Sequence, residues 1–335
     1  MKREALRPVL LSVALACLFS LVNPVPAAAH IAGSGGSPSN FRTVVTDVRP
    51  ATPGVDVTVG VGGQWVRITN RDAGTIVVLG YRGEPFLRLS QDQVQANQRS
   101  ITAAEAGLTR RTAAAPDAQP RWQPLSDGGS VTWADARIDP PPDQSDVPGA
   151  WQLPLVVDGQ QVTVSGDRDR IPPPSPWPWL AGLALIAAGV AVLGWMRHWH
   201  RPLAAAVAAG VLAFGLHLIG TGFAPQRVGA VFGWVAVGAV GLFSVAIGAV
   251  AVVSTLRRRE SAAPRIITIA TMVLLLAAGD ITVLWNSQLP FAGPPVLDRI
   301  LMMLTYGIVL GLLVAGVRLA REPTHDELGE QRSSG

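Results

Sequence analysis

From Trp179 onward the sequence is dominated by five apolar stretches, at about 179–196, 203–221, 228–254, 266–285 and 299–317. Each approaches the ~20 residues that an α-helix needs to cross the hydrocarbon core of a bilayer. No other feature constrains the chain so strongly, because a backbone surrounded by lipid must satisfy its N–H and C=O groups within its own segment or a closed barrel. Residues 179–318 are therefore expected to form an α-helical transmembrane bundle of five spans. Arginines set its direction. Arg197 and Arg201 follow the first span, Arg257, Arg258, Arg259 and Arg265 lie between the third and fourth, and Arg318 and Arg321 follow the fifth. The alternate loops, "TGFAPQR" and "NSQLPFAGPPVLDR", are poorer in arginine. Basic loops stay in the cytoplasm, so the tail 319–335 is expected inside and everything before Trp179 outside. This is the layout of a multi-pass plasma-membrane protein.

The amino terminus agrees with that direction. Lys2, Arg3 and Arg7 precede an apolar run from Val9 to Val22, and Ala27, Ala28 and Ala29 supply a small-residue cleavage site. These are the parts of a secretory signal peptide, 1–29, whose removal leaves His30 as the new amino terminus. An uncleaved signal anchor is the alternative. Cys17 is the only cysteine and falls inside the apolar run, so the exported chain is expected to have no disulfide and no thiolate chemistry.

Residues 30–166 contain no long apolar run and read as a separate extracytoplasmic domain. Short runs rich in valine, isoleucine and threonine recur at Arg42–Val48, Val55–Val61, Gln64–Thr69, Thr75–Tyr81, Pro85–Leu89, Ser130–Trp133, Leu153–Val157 and Gln160–Val164. Gly62-Gly63 and Asp158-Gly159 look like two-residue hairpin turns, which require positive φ. The expected fold is all-β, a β-sandwich. Long polar segments near Thr102–Pro120 and Asp139–Gly149 read as loops that could carry binding. A proline-rich linker, 167–178, reads as a stiff spacer holding the domain away from the bilayer.

The net charge of +4 does not imply a nucleic-acid partner. Between His30 and Pro172 there are thirteen arginines against fifteen acidic residues, so the basic excess belongs to the signal and the cytoplasmic loops. Membrane lipids are the expected contact, with Trp177, Trp179 and Trp195 at the interfaces of the first span. Gly229-xxx-Gly233 and Gly307-xxx-Gly311 are small faces suited to close helix contact, including homo-oligomerisation. No nucleotide-binding loop, zinc-protease helix or serine-hydrolase elbow occurs, and the chain is expected not to be an enzyme.

Ionisable residues inside spans are costly and often functional. His217 and Asp280 sit at similar depth in the second and fourth spans, about one turn from the outer surface, and could meet. Met302 and Met303 begin the fifth span at the same level. Three uses follow: a hydrogen-bonded pair fixing the helices, a thioether and imidazole site of the kind that suits copper(I), or a proton or ion path.

The segments "GYRGEPFLRL", "ANQRS", "RWQPLS", "TWADARID" and "WQLPLVVDGQQVTVSG" resemble an uncharacterised family of actinobacterial membrane proteins with a signal, a β-domain and several spans. That family is similar in layout to envelope proteins linked with copper handling. The resemblance implies that Gly80, Tyr81 and Glu84 shape a turn and that Trp133, Asp135 and Arg137 belong to a recurring motif. Where that motif commonly carries three histidines, this chain has Ala134, Ala136 and Asp139, so metal ligation does not carry over there. His30 resembles the amino-terminal histidine of periplasmic copper-resistance proteins, whose amine and imidazole grip copper(II). No other cofactor is expected. Two functions compete: a membrane-anchored binding or interaction module, with an envelope or metal-handling partner, and a transporter of a proton, cation or small solute with the β-domain as receptor or lid.

Overall fold

The computed structural model describes residues 37–109, 119–139, 148–224 and 230–321. The signal, His30, Gly229 and the tail beyond Arg321 lie outside them. An antiparallel β-region is followed by a helical half.

Among the described residues of the first half ten strands form: β1 (Phe41–Arg49), β2 (Val55–Val59), β3 (Val66–Asn70), β4 (Ile76–Leu79), β5 (Pro85–Leu89), β6 (Gln93–Asn97), β7 (Trp122–Asp127), β8 (Ser130–Trp133), β9 (Gly149–Val157) and β10 (Gln160–Arg170). Seven pair in the order β1-β10-β9-β4-β5-β6-β7, and three in the order β2-β3-β8. Alternation along the strands builds the interior. In β9, Trp151, Leu153, Leu155 and Val157 are buried, and in β3, Val66 and Ile68. Side chains of both sheets, among them Ile68, Val131 and Trp133 from one and Val78, Phe86 and Leu153 from the other, share one buried core.

The Asp158-Gly159 turn has φ of 48° and 85° and joins Val157 directly to Gln160, the geometry of a tight type I′ hairpin. The turn at Gly62-Gly63 is wider than the sequence suggests. Pairing of β2 with β3 stops at Val59 and Val66, and Gly60 to Trp65 form a loop with a 3-10 turn at Val61–Gly63. Gly62 and Gly63 still supply the positive φ, 66° and 85°. The strands β6 and β7 were not expected. A short helix, α1 (Ile101–Glu105), follows β6 and is capped by Ser100, whose Oγ accepts from the Ala103 N–H.

The second half comprises α2 (Trp177–Leu193), α3 (His200–Gly222), α4 (Ala230–Leu256), α5 (Ala262–Ala277), a 3-10 segment (Ala278–Leu284) and α6 (Pro295–Ala320). Among the described residues, four helical stretches are long and apolar enough to cross a membrane: His200–Gly222, Val237–Leu256, Ala262–Leu284 and Pro295–Ala320. The first expected span differs. Its α-helix has 17 residues, about 26 Å at the α-helical rise, and the apolar sequence continues as tight turns in which Gly194, Trp195 and Met196 bond back three residues. Central in the bundle is α6, which packs on α2, α3 and α5. A Cβ on Gly307 would lie 2.8 Å from Ile186 Cβ, and one on Gly311 2.6 Å from the Ala187 carbonyl. The small face expected for oligomer contact is thus filled by α2 of the same chain.

Arg258 and Arg318 lie at one end of the bundle, whereas Arg299 lies at the other. Arg318 donates to the Gly194 carbonyl at 2.7 Å, and Arg258 lies 3.3 Å from His200. The β-region meets the other end. Ser39 and Gln288 exchange backbone hydrogen bonds of 2.9 and 2.8 Å, and the Ser287 N–H donates to Asn40 Oδ1 at 2.9 Å. Ile171 bonds to the Asn40 carbonyl, so the strand β10 and its continuation reach well into the segment expected as a spacer. Instead of being held off by that segment, the start of β1 is seated directly on the loop before α6.

Candidate functional site

Three ionisable side chains meet near the β-region end of the bundle. His217 lies on α3, one turn and a half before its end. Its ring stacks on Phe214, centroids 6.5 Å apart. The helix α6 begins with Pro294 and Pro295, and proline suits a first helical turn, where an N–H has no partner to lose. Asp298 falls in that first turn, where the helix dipole favours a carboxylate. Asp280 is delivered by a change of helix type: α5 tightens to the 3-10 segment after Ala277, and the Tyr306 hydroxyl donates to the Ala277 carbonyl at this junction.

The His217 imidazole sits between the two carboxylates. Its Nδ1 is 2.6 Å from Asp298 Oδ1, and its Nε2 is 3.4 Å from Asp280 Oδ2. The His217 and Asp298 side chains are 2% and 1% exposed, whereas Asp280 is 22% exposed, so the cluster has one accessible member. Asp298 Oδ2 is buried without a hydrogen-bond partner among the described residues. Arg299, also buried, donates to the Asn286 carbonyl at 2.6 Å, tying α6 to the loop that carries the β-region contact.

The methionines divide. Met302 is fully buried in the bundle core, while the Met303 sulfur lies against Gly182 on α2, since successive helical residues diverge by ~100°. The expected thioether pair is therefore not assembled around His217. Both ring nitrogens already face carboxylates on opposite sides, and among the described residues no group of three or more His, Cys, Asp or Glu is placed to hold a metal ion.

The β-region residues singled out from sequence form two adjoining networks. In the β4–β5 turn, Gly83 donates to the Gly80 carbonyl and Gly80 to that of Glu84. The Glu84 carboxylate turns inward, 3% exposed. Its Oε1 accepts from Ser100 Oγ at 2.8 Å and Thr102 Oγ1 at 2.9 Å, and its Oε2 from the Arg82 N–H at 3.0 Å. Burial pushes the carboxyl up, but these donors outweigh it and hold it below the usual glutamate value. A Cβ on Gly80 would strike this carboxylate, which explains the glycine.

In the second network Asp135 accepts from Trp133 Nε1 at 3.0 Å and from Arg137 Nε and Nη2 at 2.8 and 2.7 Å. Arg137 also donates to the Leu79 carbonyl and lies over the Tyr81 ring. The Tyr81 hydroxyl accepts from the Ala136 N–H at 2.9 Å. Burial, then the charge of Asp135, raises the Tyr81 phenol above its ordinary range. Both Asp135 oxygens are satisfied. This is a clamp holding the end of β8 on the β4–β5 turn. At the positions where the resembled motif has histidines, Ala136 is exposed and Asp139 lies 3.5 Å from Arg168.

Asp298 and Arg299 were missed from sequence because they end the loop "NSQLPFAGPPVLDR" and read as its polar edge. The signal was Pro294-Pro295, which starts the helix four residues earlier. Comparison with family models, curated proteins and solved structures finds no match to this chain.

Proposed function

We propose that this is a multi-pass envelope protein whose β-sandwich lies outside the plasma membrane and acts as a non-enzymatic binding or interaction module, anchored by five spans with the carboxyl terminus inside. The observation that carries this reading is the seating of the β-region on the end of the bundle remote from Arg258 and Arg318. Under the positive-inside rule that end faces out. The first apolar helix, about 26 Å long, completes the fifth crossing with the turns through Met196. A partner protein or envelope ligand would engage the loops of the domain. The link to copper handling rests on the resemblance and on His30, and the described β-region adds no histidine to it.

A transport reading is favoured by one observation, the ionisable cluster at the break between α5 and the 3-10 segment, since discontinuous helices beside buried charge mark many solute sites.

Single cysteines in a background lacking Cys17 test the orientation. Ser90→Cys in the β-region should react with a membrane-impermeant maleimide on intact cells, and Glu260→Cys only after lysis. The reverse pattern would overturn the proposal. Copper(II) titration of the exported chain, with and without one residue added before His30, tests the metal link: binding that the extension abolishes supports it.

A further inference from the structure

We infer that His217, Asp280 and Asp298 form a proton-binding site within the bundle, in which one imidazole holds and exchanges protons between two carboxylates. Hydrogen-bond chemistry leads to this. A carboxylate oxygen only accepts, and a neutral imidazole donates from one nitrogen alone. Here Nδ1 and Nε2 each face a carboxylate oxygen, at 2.6 and 3.4 Å, so at least one further proton must sit on the cluster for neither contact to set lone pair against lone pair. Asp298 Oδ2, buried and unpartnered among the described residues, offers a place for a proton besides, since a buried polar oxygen without a donor is unfavourable. The graded exposure supplies access: Asp280 is partly open while His217 and Asp298 are sealed.

Among the described residues the charged groups around His217 are few. The ranges of α2 and α4 hold no ionisable side chain, α5 holds only Arg265, and α3 otherwise only His200 and Arg201, all three near the opposite end. On α6, Arg299 is a cation beside Asp298 and donates to the Asn286 carbonyl, Tyr306 donates to that of Ala277, and Arg318 lies at the opposite end. The ligand class is thus the proton, and the inference does not depend on which face of the membrane the β-region occupies.

The test is nuclear magnetic resonance of the full chain in lipid nanodiscs, with histidine ring nitrogens labelled and His217 identified by the signal lost in His217→Gln. Across the pH range in which the protein stays folded, the His217 ring signals should change with bulk pH. Asp298→Asn, which keeps shape and removes charge, should weaken proton binding about tenfold or more. Asp280→Asn, at the partly exposed position, serves as the second variant if Asp298→Asn does not fold. Ring signals in the wild-type protein that stay constant throughout, or a pH response unchanged in the folded variant, would overturn the inference and leave a fixed ion pair.

Discussion

His217 Nδ1 and Asp298 Oδ1 lie 2.6 Å apart across 81 residues of sequence. The contact joins the end of α3 to the first turn of α6, and through Arg299 and Asn286 to the loop on which Ser39 and Asn40 rest. A polar cluster thus fixes the same end of the bundle that receives the β-region.

Removing one member of this cluster strands its partner. His217→Ala and Asp298→Ala should each destabilise the protein by about 3–5 kcal/mol, and the double variant by much less than the sum. Thermal unfolding of the full chain in detergent reads this directly, and additive losses would show that the two residues act separately.

Glu84 predicts an acid-sensitive step in the β-region. Its folded carboxyl is held below the usual value, so its stabilisation is present in full above the ordinary glutamate range and is lost as pH falls through the lowered folded value. Glu84→Gln should cost about 1.5–3 kcal/mol at neutral pH. Melting curves of the variant and wild type should converge on acidification, and a constant gap would contradict the assignment.

The Asp135 clamp makes a prediction about geometry. Arg137→Ala leaves Asp135 buried without its two-pronged partner and should cost about 3–5 kcal/mol. Arg137→Lys keeps the charge but cannot reproduce the fork, and should recover only part of the loss. Tryptophan fluorescence at Trp133, which bonds to Asp135, reports the local change in chemical denaturation.

Close helix packing can be tested against an internal control. Gly307→Ala and Gly311→Ala each force a methyl group against α2 and should destabilise the bundle by about 1–3 kcal/mol. Gly215→Ala has open space around it and should stabilise the bundle, by up to about 1 kcal/mol through helix propensity. Equal losses at all three positions in melting experiments would rule out the packing account.

Much of the layout is local chemistry and was legible residue by residue. Long apolar stretches must become helices in lipid because nothing outside the segment can satisfy the backbone, and the Asp158-Gly159 hairpin follows from the φ values such a pair tolerates. The matched depths of His217 and Asp280 follow from counting back from the outer ends of their spans, although Asp280 reaches its place through the 3-10 segment. Other features could not be read locally. The strand β7 contains Pro124 in a polar run, tolerated because β7 is the sheet edge and a bulge lies opposite Val94 and Gln95, and being an edge is a property of the whole sheet. Asp298 looks like a loop residue until α6 starts at Pro295 and brings it to His217. Met302 and Met303 are neighbours in sequence, yet helical rotation sends Met303 to α2. The Gly307 and Gly311 face is small in any context, but only the packed bundle decides that α2 fills it. Sequence determines what each segment can form, through bonds between near neighbours. Which buried groups become partners depends on how segments far apart in the chain are brought together, and that is settled only when the helices and sheets pack.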